Sequence, residues 1–252
     1  MSDDGQETGL GSKWPCRKLA RVGKDLPPEK RQSVLHAALN LVYLGIVLTL
    51  ISYLGAFARR SSGLTVFPWM VVTQEKTPTR HFCKHYGGMS AVCIEGGCGR
   101  KCFSWSGVQC DKTSIPHGCS DCAAQTKKLI VPLILALITY VKLAKNTHDR
   151  YTGNDSNCCK FGCVFSTLVG GVNFLSTMTV YWRTCVASLK LGEDDITATW
   201  GLGFICMLMA ATIKVGVGVV HLCLPVQRKG ELVEDSSEAS DDEGSTDDST
   251  IE

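Results

Sequence analysis

The sequence is short of the features by which most activities announce themselves. No hydrolase triad, phosphate-binding loop, carboxylate dyad or nucleic-acid module is recognisable. The reading is of a non-enzymatic chain that needs no cofactor and binds no nucleic acid. Proline is scarce, 8 in 252 residues, and no glycine repeat is present, which excludes a collagenous chain. Excess charge is lacking too: the net formal charge is +2 and the mean hydropathy +0.07, averages that describe an ordinary soluble domain. Two local absences say more. No Asp or Glu occurs in any of four apolar runs, and almost no apolar residue follows Gly230. Ten of the 24 acids lie between Glu231 and Glu252, whereas the chain up to Pro225 holds 24 basic and 14 acidic residues. That segregation argues against a single uniform globular fold and against a wholly disordered chain.

The apolar runs are the main positive signal. Val34–Ala58 has 25 residues without a formal charge, Phe161–Trp182 has 22, and Ala198–Leu224 has 27 interrupted only by Lys214. At about 1.5 Å per helical residue each exceeds the roughly 30 Å apolar core of a bilayer. Leu129–Ala144 is weaker, with 13 residues before Lys142, but Lys127, Lys128, Lys142 and Lys145 bracket it and their stems can reach the interfaces. The sequence therefore predicts four spans, at 34–58, 129–144, 161–182 and 198–224. The first thirty residues are charged and show no cleavable signal peptide, so the first span is the expected insertion signal. Seven Lys/Arg lie in residues 1–33, three at 145–160 and two at 228–229, against Arg59, Arg60, Lys127 and Lys128 beside the first spans and two in 183–197. Positive-inside bias then puts both termini and the 145–160 loop in the cytoplasm, and 59–128 and 183–197 outside. The sequon at Asn154 would be cytoplasmic and silent.

Half of the 14 cysteines fall in the first outer loop: Cys83, Cys93, Cys98, Cys102, Cys110, Cys119 and Cys122. The topology supplies an eighth, Cys185, and a bond from it would clamp the two outer segments together. Eight cysteines allow about 105 connectivities, so the pairs stay open. Two other readings compete. Cys98-x3-Cys102 and Cys119-x2-Cys122, with His81, His85 and His117 nearby, have metal-ligand spacing but need thiolates kept reduced. Cys119-Ser120-Asp121-Cys122 is also a CxxC beside a membrane helix, as in thiol oxidoreductases. Strand-like pieces at Leu64–Thr73 and Cys102–Cys110, separated by glycines at 87, 88, 96, 97 and 99, complete a picture of a small disulfide-pinned sheet. The fold class is thus mainly α and membrane-embedded: a four-transmembrane-helix bundle with a small disulfide-stabilised β-rich outer domain in the first loop.

Residues Cys102, Phe103, Ser104, Gly107, Gln109 and Asp111 fall in register with the outer-loop signature of the amastins. Trp105 and Ser106 stand where that signature has Leu/Phe and Trp/Phe, Lys112 replaces its closing Cys, and Cys110 comes two positions early. Trp105 followed by Cys110-x8-Cys119 approximates the Trp and spaced cysteine pair of claudins. In plan and in this motif the chain resembles the amastin-like, claudin-like tetraspan proteins. The resemblance implies a non-enzymatic cell-surface protein with a Cys102/Cys110/Cys119 cluster holding a small outer sheet. It leaves the acidic tail unexplained.

Lys214 near the middle of the fourth span is the strongest candidate for a functional group inside the membrane. It would pair with an acid of a membrane partner or serve self-association, bind an anionic lipid headgroup, snorkel, or line a water-filled cavity beside Asn173 as in a channel or transporter subunit. Small residues (Ser166/Gly170, Thr167/Gly171, Gly201, Gly203, Gly216, Gly218) mark close helix contacts. Cys158, Cys159 and Cys163 lie just cytoplasmic of the third span and are lipidation candidates. The alternative is that they are reduced and packed. The 225–252 tail is acidic and expected to be disordered, with Ser240, Ser245 and Ser249 placed as acidophilic kinase sites. The basic stretch Lys13–Arg31 suits the anionic headgroups of the lipid bilayer. The localisation expected is a multi-pass protein of the plasma membrane or an endomembrane.

Overall fold

The computed structural model describes residues 27–74, 82–97, 99–105, 119–187 and 196–226. Its elements are α1 (Pro28–Phe57), a short α2 (Ser61–Val66), β1 (Met70–Gln74), β2 (Cys83–Gly87), β3 (Ala91–Gly96), β4 (Lys101–Ser104), α3 (Cys119–Tyr151), α4 (Asn157–Tyr181), β5 (Ile196–Trp200) and α5 (Leu202–Cys223). A π-helical turn, Trp182–Ala187, extends α4. Among the described residues four helices are long and apolar enough to cross a membrane: α1, α3, α4 with its π turn, and α5.

On α1 and α4 the exposed face carries large apolar side chains, while the buried face is richer in small and hydroxyl residues. On α1 the buried positions are Arg31, Leu35, Ala38, Leu39, Val42, Gly45, Thr49, Ser52, Gly55 and Ala56. They recur at three- and four-residue steps and turn small toward the sheet end. The opposite face, with Leu41, Leu44, Val47, Leu50 and Leu54, is exposed, as a lipid-facing surface requires. Pro28 at the helix start, where a backbone donor is unused anyway, fixes the first turn of α1. Ser156 caps α4 by accepting from the Cys159 amide. Around the bundle α1 packs on α3 and α5, and α4 packs on α3 and α5.

The strands form one antiparallel sheet in the order β4-β3-β2-β1-β5. Four come from the segment between the first two spans, and β5 arrives from just before the last span, pairing Met70 with Trp200 and Gln74 with Ile196. The sheet is therefore built from both loops rather than the first alone. The last span starts at Leu202, not Ala198, because Ile-Thr-Ala-Thr-Trp is β-branched and aromatic and finds an open strand edge beside β1. The weakest candidate, 129–144, is the core of a 33-residue helix that takes in both bracketing lysine pairs and starts at the CxxC motif.

Sheet and bundle share one apolar core. Trp69 is fully buried at the junction. Its indole N–H donates to Ser52 O of α1 (2.9 Å), its amide to Gly87 O (2.8 Å), and its carbonyl accepts from the Gly201 amide (3.1 Å). Its ring lies edge-on to Tyr181 and Phe204 at 5.2 and 6.0 Å. Trp105 fixes the other side through an indole bond to Gly88 O at 2.8 Å. Gly88 permits the approach, since a Cβ there would strike Gly55 O and the Leu64 side chain.

His85 of β2 is buried beneath this sheet, between Val72 and Ile94 on the neighbouring strands. Burial lowers its imidazole below the ordinary value of 6.5. The unfolded sheet thus takes up a proton at a pH where the folded one does not. Stability is complete above about pH 6.5 and declines as pH falls through that value. Chemical denaturation at about pH 7.5 and pH 5.5 should show a lower midpoint in acid, and His85→Gln should flatten the difference. An equal acid loss in the variant would place the titrating group elsewhere.

Candidate functional site

Two disulfides are defined at the sheet end. Cys93–Cys102 bridges the facing residues of β3 and β4. Cys122–Cys185 joins the first turn of α3 to the π turn after α4, 63 residues away in sequence. The expected clamp from Cys185 to the first loop is thus present, through Cys122. Cys83 is also disulfide-bonded. Cys98, Cys110, His81, His117 and the Cys119 side chain lie outside the described residues. Bond formation at Cys102 and Cys122 takes one thiol from each of the two metal-like spacings. It also separates Cys122 from Cys119 as a CxxC disulfide. The Cys102/Cys110/Cys119 cluster implied by the resemblance is corrected at Cys102, whose partner is Cys93. That bridge has eight residues between its cysteines, the spacing earlier read at Cys110 and Cys119.

Lys214 is fully buried and faces α3. Its ammonium donates to Thr139 Oγ1 at 2.6 Å and Ala136 O at 3.2 Å. It lies over the Tyr140 and Phe174 rings at 4.3 and 5.3 Å. Two acceptors and two negative ring faces compensate much of the cost of burying the charge. Gly170 makes the room: a Cβ there would run into Lys214 Nζ and Thr139 Oγ1. Asn173, one residue from Phe174, is half-buried, and its carbonyl accepts from Ser176 Oγ at 3.1 Å. The lysine's polar contacts are therefore on α3, not at Asn173. The other small residues mostly serve the same internal packing: Gly218 lies against Thr167, and Gly203 against Trp69.

A second polar centre, at the bundle end opposite the sheet, was not anticipated from the sequence. Asp155, its side chain 1% exposed, forms ion pairs with Arg31 of α1 and Arg150 of α3. Arg150 also donates to His221 Nδ1 (2.9 Å) and to the Leu224 and Pro225 carbonyls (both 3.2 Å). An arginine can only donate, so His221 Nδ1 accepts and its proton sits on Nε2, facing Thr147 Oγ1 at 2.9 Å. Thr147 passes the chain to Leu143 O. One carboxylate thus ties α1, α3, the α3–α4 turn and the end of α5. The available signal was Asp155 itself, an acid within the sequon of the 145–160 loop.

Of the lipidation candidates, Cys158 is exposed, Cys159 half-buried and Cys163 buried. Ser240, Ser245 and Ser249 lie outside the described residues. No protein-family model matches the chain, and no curated protein matches it.

Two substitutions separate these centres. Lys214→Met, similar in length but uncharged, should leave thermal unfolding in detergent within a few degrees of the parent. Gly170→Leu overpacks the same spot and should cost about 1–3 kcal/mol or more. Collapse of Lys214→Met with tolerance of Gly170→Leu would contradict the enclosed-lysine geometry. Asp155→Asn removes the carboxylate charge that Arg31 and Arg150 share and should lower unfolding free energy by about 3–5 kcal/mol. Asn154→Gln beside it should stay within about 0.5 kcal/mol. Denaturation midpoints of the two variants make the comparison.

Proposed function

We propose that the protein is a non-enzymatic multi-pass membrane protein whose disulfide-pinned sheet serves a structural or adhesive role by binding a partner. Both termini face the cytoplasm and the sheet faces the outside or an endomembrane lumen. The observation that carries this reading is the stapled sheet. It is assembled from two distant segments, closed by Cys93–Cys102, and anchored to the bundle by Cys122–Cys185 and Trp69. Such a scaffold presents a fixed surface at low entropic cost on binding. Disulfides at that end agree with an oxidising compartment there and with the charge bias of the loops.

The amastin-like, claudin-like resemblance is part of the same proposal. Its support remains the register of Cys102, Phe103, Ser104, Gly107, Gln109 and Asp111 with the outer-loop signature. Two alternatives have less behind them. A channel or transporter subunit would use Lys214 and Asn173 along a path, yet Lys214 is enclosed by α3 and two rings. A thiol oxidoreductase would shuttle Cys119/Cys122, yet Cys122 is committed to Cys185.

Cells displaying the protein should adhere to one another or to partner cells, and Cys93→Ser should abolish adhesion while the protein still reaches the membrane. Cys122 should resist alkylation under mild reductant. Asn154 should carry no glycan, and its loop should be cut by protease only after permeabilisation. A glycan on Asn154 would invert the orientation, and unchanged adhesion without the sheet would remove the adhesive role.

A further inference from the structure

A carboxamide near the middle of the third span is left without a partner. Asn173 of α4 lies about 24 Å from Asn157 and about 20 Å from Val186, the two ends of its span, on helix rise. Phe174, its neighbour in sequence, packs its ring against Lys214 near the middle of α5. The Asn173 side chain is half-buried, and its amide makes no hydrogen bond among the described residues. Exposed hydroxyls of the spans behave differently. Ser176 donates to Asn173 O at 3.1 Å and Thr212 to Leu208 O at 3.0 Å, each returning its proton to its own helix. A side chain too short to reach either headgroup region is thus left at the bundle surface, at a depth where an unpaired polar group is costly.

We propose that Asn173 joins two copies of this chain, bonding Asn173 of the second copy across an α4–α4 contact; this rests on the multi-pass reading. Three features select a second copy. Copies inserted by the same signals share one orientation, so a twofold axis along the bilayer normal sets each contact residue opposite its own equivalent, at its own depth. A carboxamide satisfies itself in that arrangement, because each side chain offers N–H donors and a carbonyl acceptor and two reciprocal bonds close the pair. The flank that carries it also permits close approach. Val169, Asn173, Ser176 and Val180, half-buried or exposed, recur at four- and three-residue steps, and none is long or aromatic. That is the spacing of a packed helix seam, in which one asparagine fixes register and the number of chains. The bulkier Phe165, Leu168, Val172 and Leu175 stand on the lipid face beside it. An unrelated membrane protein would have to present a matching group at this depth, whereas a second copy always does.

The test follows energy transfer between two differently labelled populations of the full chain in liposomes, at decreasing protein-to-lipid ratio. Resistance to alkaline carbonate extraction first establishes insertion, so failure of the multi-pass reading is told apart from failure of this proposal. The parent should show transfer above that of random mixing. Asn173→Leu should weaken self-association about tenfold, and Asn173→Gln, which keeps donor and acceptor, should retain most of it. Photo-crosslinking benzoylphenylalanine at Val169 should join α4 of a second copy, and at Leu175 should join lipid alone. Circular dichroism confirms that each variant is folded. Monomers at every ratio, association of Asn173→Leu equal to the parent, or protein crosslinks from Leu175 in place of Val169 would overturn the proposal. So would labelling of an Asn173→Cys variant at that residue by a membrane-impermeant thiol reagent, the mark of a water-filled path.

Discussion

Everything at the sheet end depends on burying Trp69. A small sheet above a membrane bundle has little core of its own, and a membrane helix offers lipid no reason to hold it. Trp69 supplies both apolar volume and direction. Its ring enters the bundle between Tyr181 and Phe204, while its indole N–H takes Ser52 O of α1. Its own backbone bonds join β2 and the start of α5. One residue thereby sets the height and rotation of the sheet on three of the four long helices. The small residues of α1 near it, Ser52, Gly55 and Ala56, are the condition for that approach.

The remaining polar groups follow the same logic of internal satisfaction. In a bilayer no water is available to an unpaired donor, so a buried cation must carry its own acceptors. Lys214 finds them one helix away, with Gly170 leaving the space and Tyr140 and Phe174 closing it. Some hydroxyls do likewise, Thr49 and Thr147 bonding the carbonyl four residues back, whereas those of Ser166, Thr167 and Thr177 are buried with no partner among the described residues. Ionisable residues within these spans thus act as helix–helix ties.

How much of this could be read from the residues differs by feature. The spans were legible because an apolar run without acids has few other uses, even where Lys142 interrupts one. The start of the last span was not, because Ala198 and Trp200 are as apolar as a helix needs and only the open edge of β1 makes them a strand. Cysteine pairing was illegible in principle: Cys122 and Cys185 meet only once α3 and α4 have packed. Lys214 was singled out from its position, yet its partners depend on the rotation of α3, which no local pattern encodes. Asp155 was overlooked because an acid in a polar loop reads as solvated until Arg31, over a hundred residues earlier, is placed beside it.

The two ends of the bundle are therefore closed by different chemistry, and this has a physical consequence. At the sheet end the ties are covalent and apolar, and they hold through changes of salt or mild acid apart from the buried His85. At the opposite end the ties include two ion pairs to one carboxylate, so losing Asp155 would weaken the hold on Arg31 and Arg150 together. A disulfide restricts a segment whether or not its surroundings are packed. A buried ion pair persists only while every neighbour stays in place. The sheet end is thus the fixed face of the molecule, and the end where both termini leave is the one poised to respond to charge.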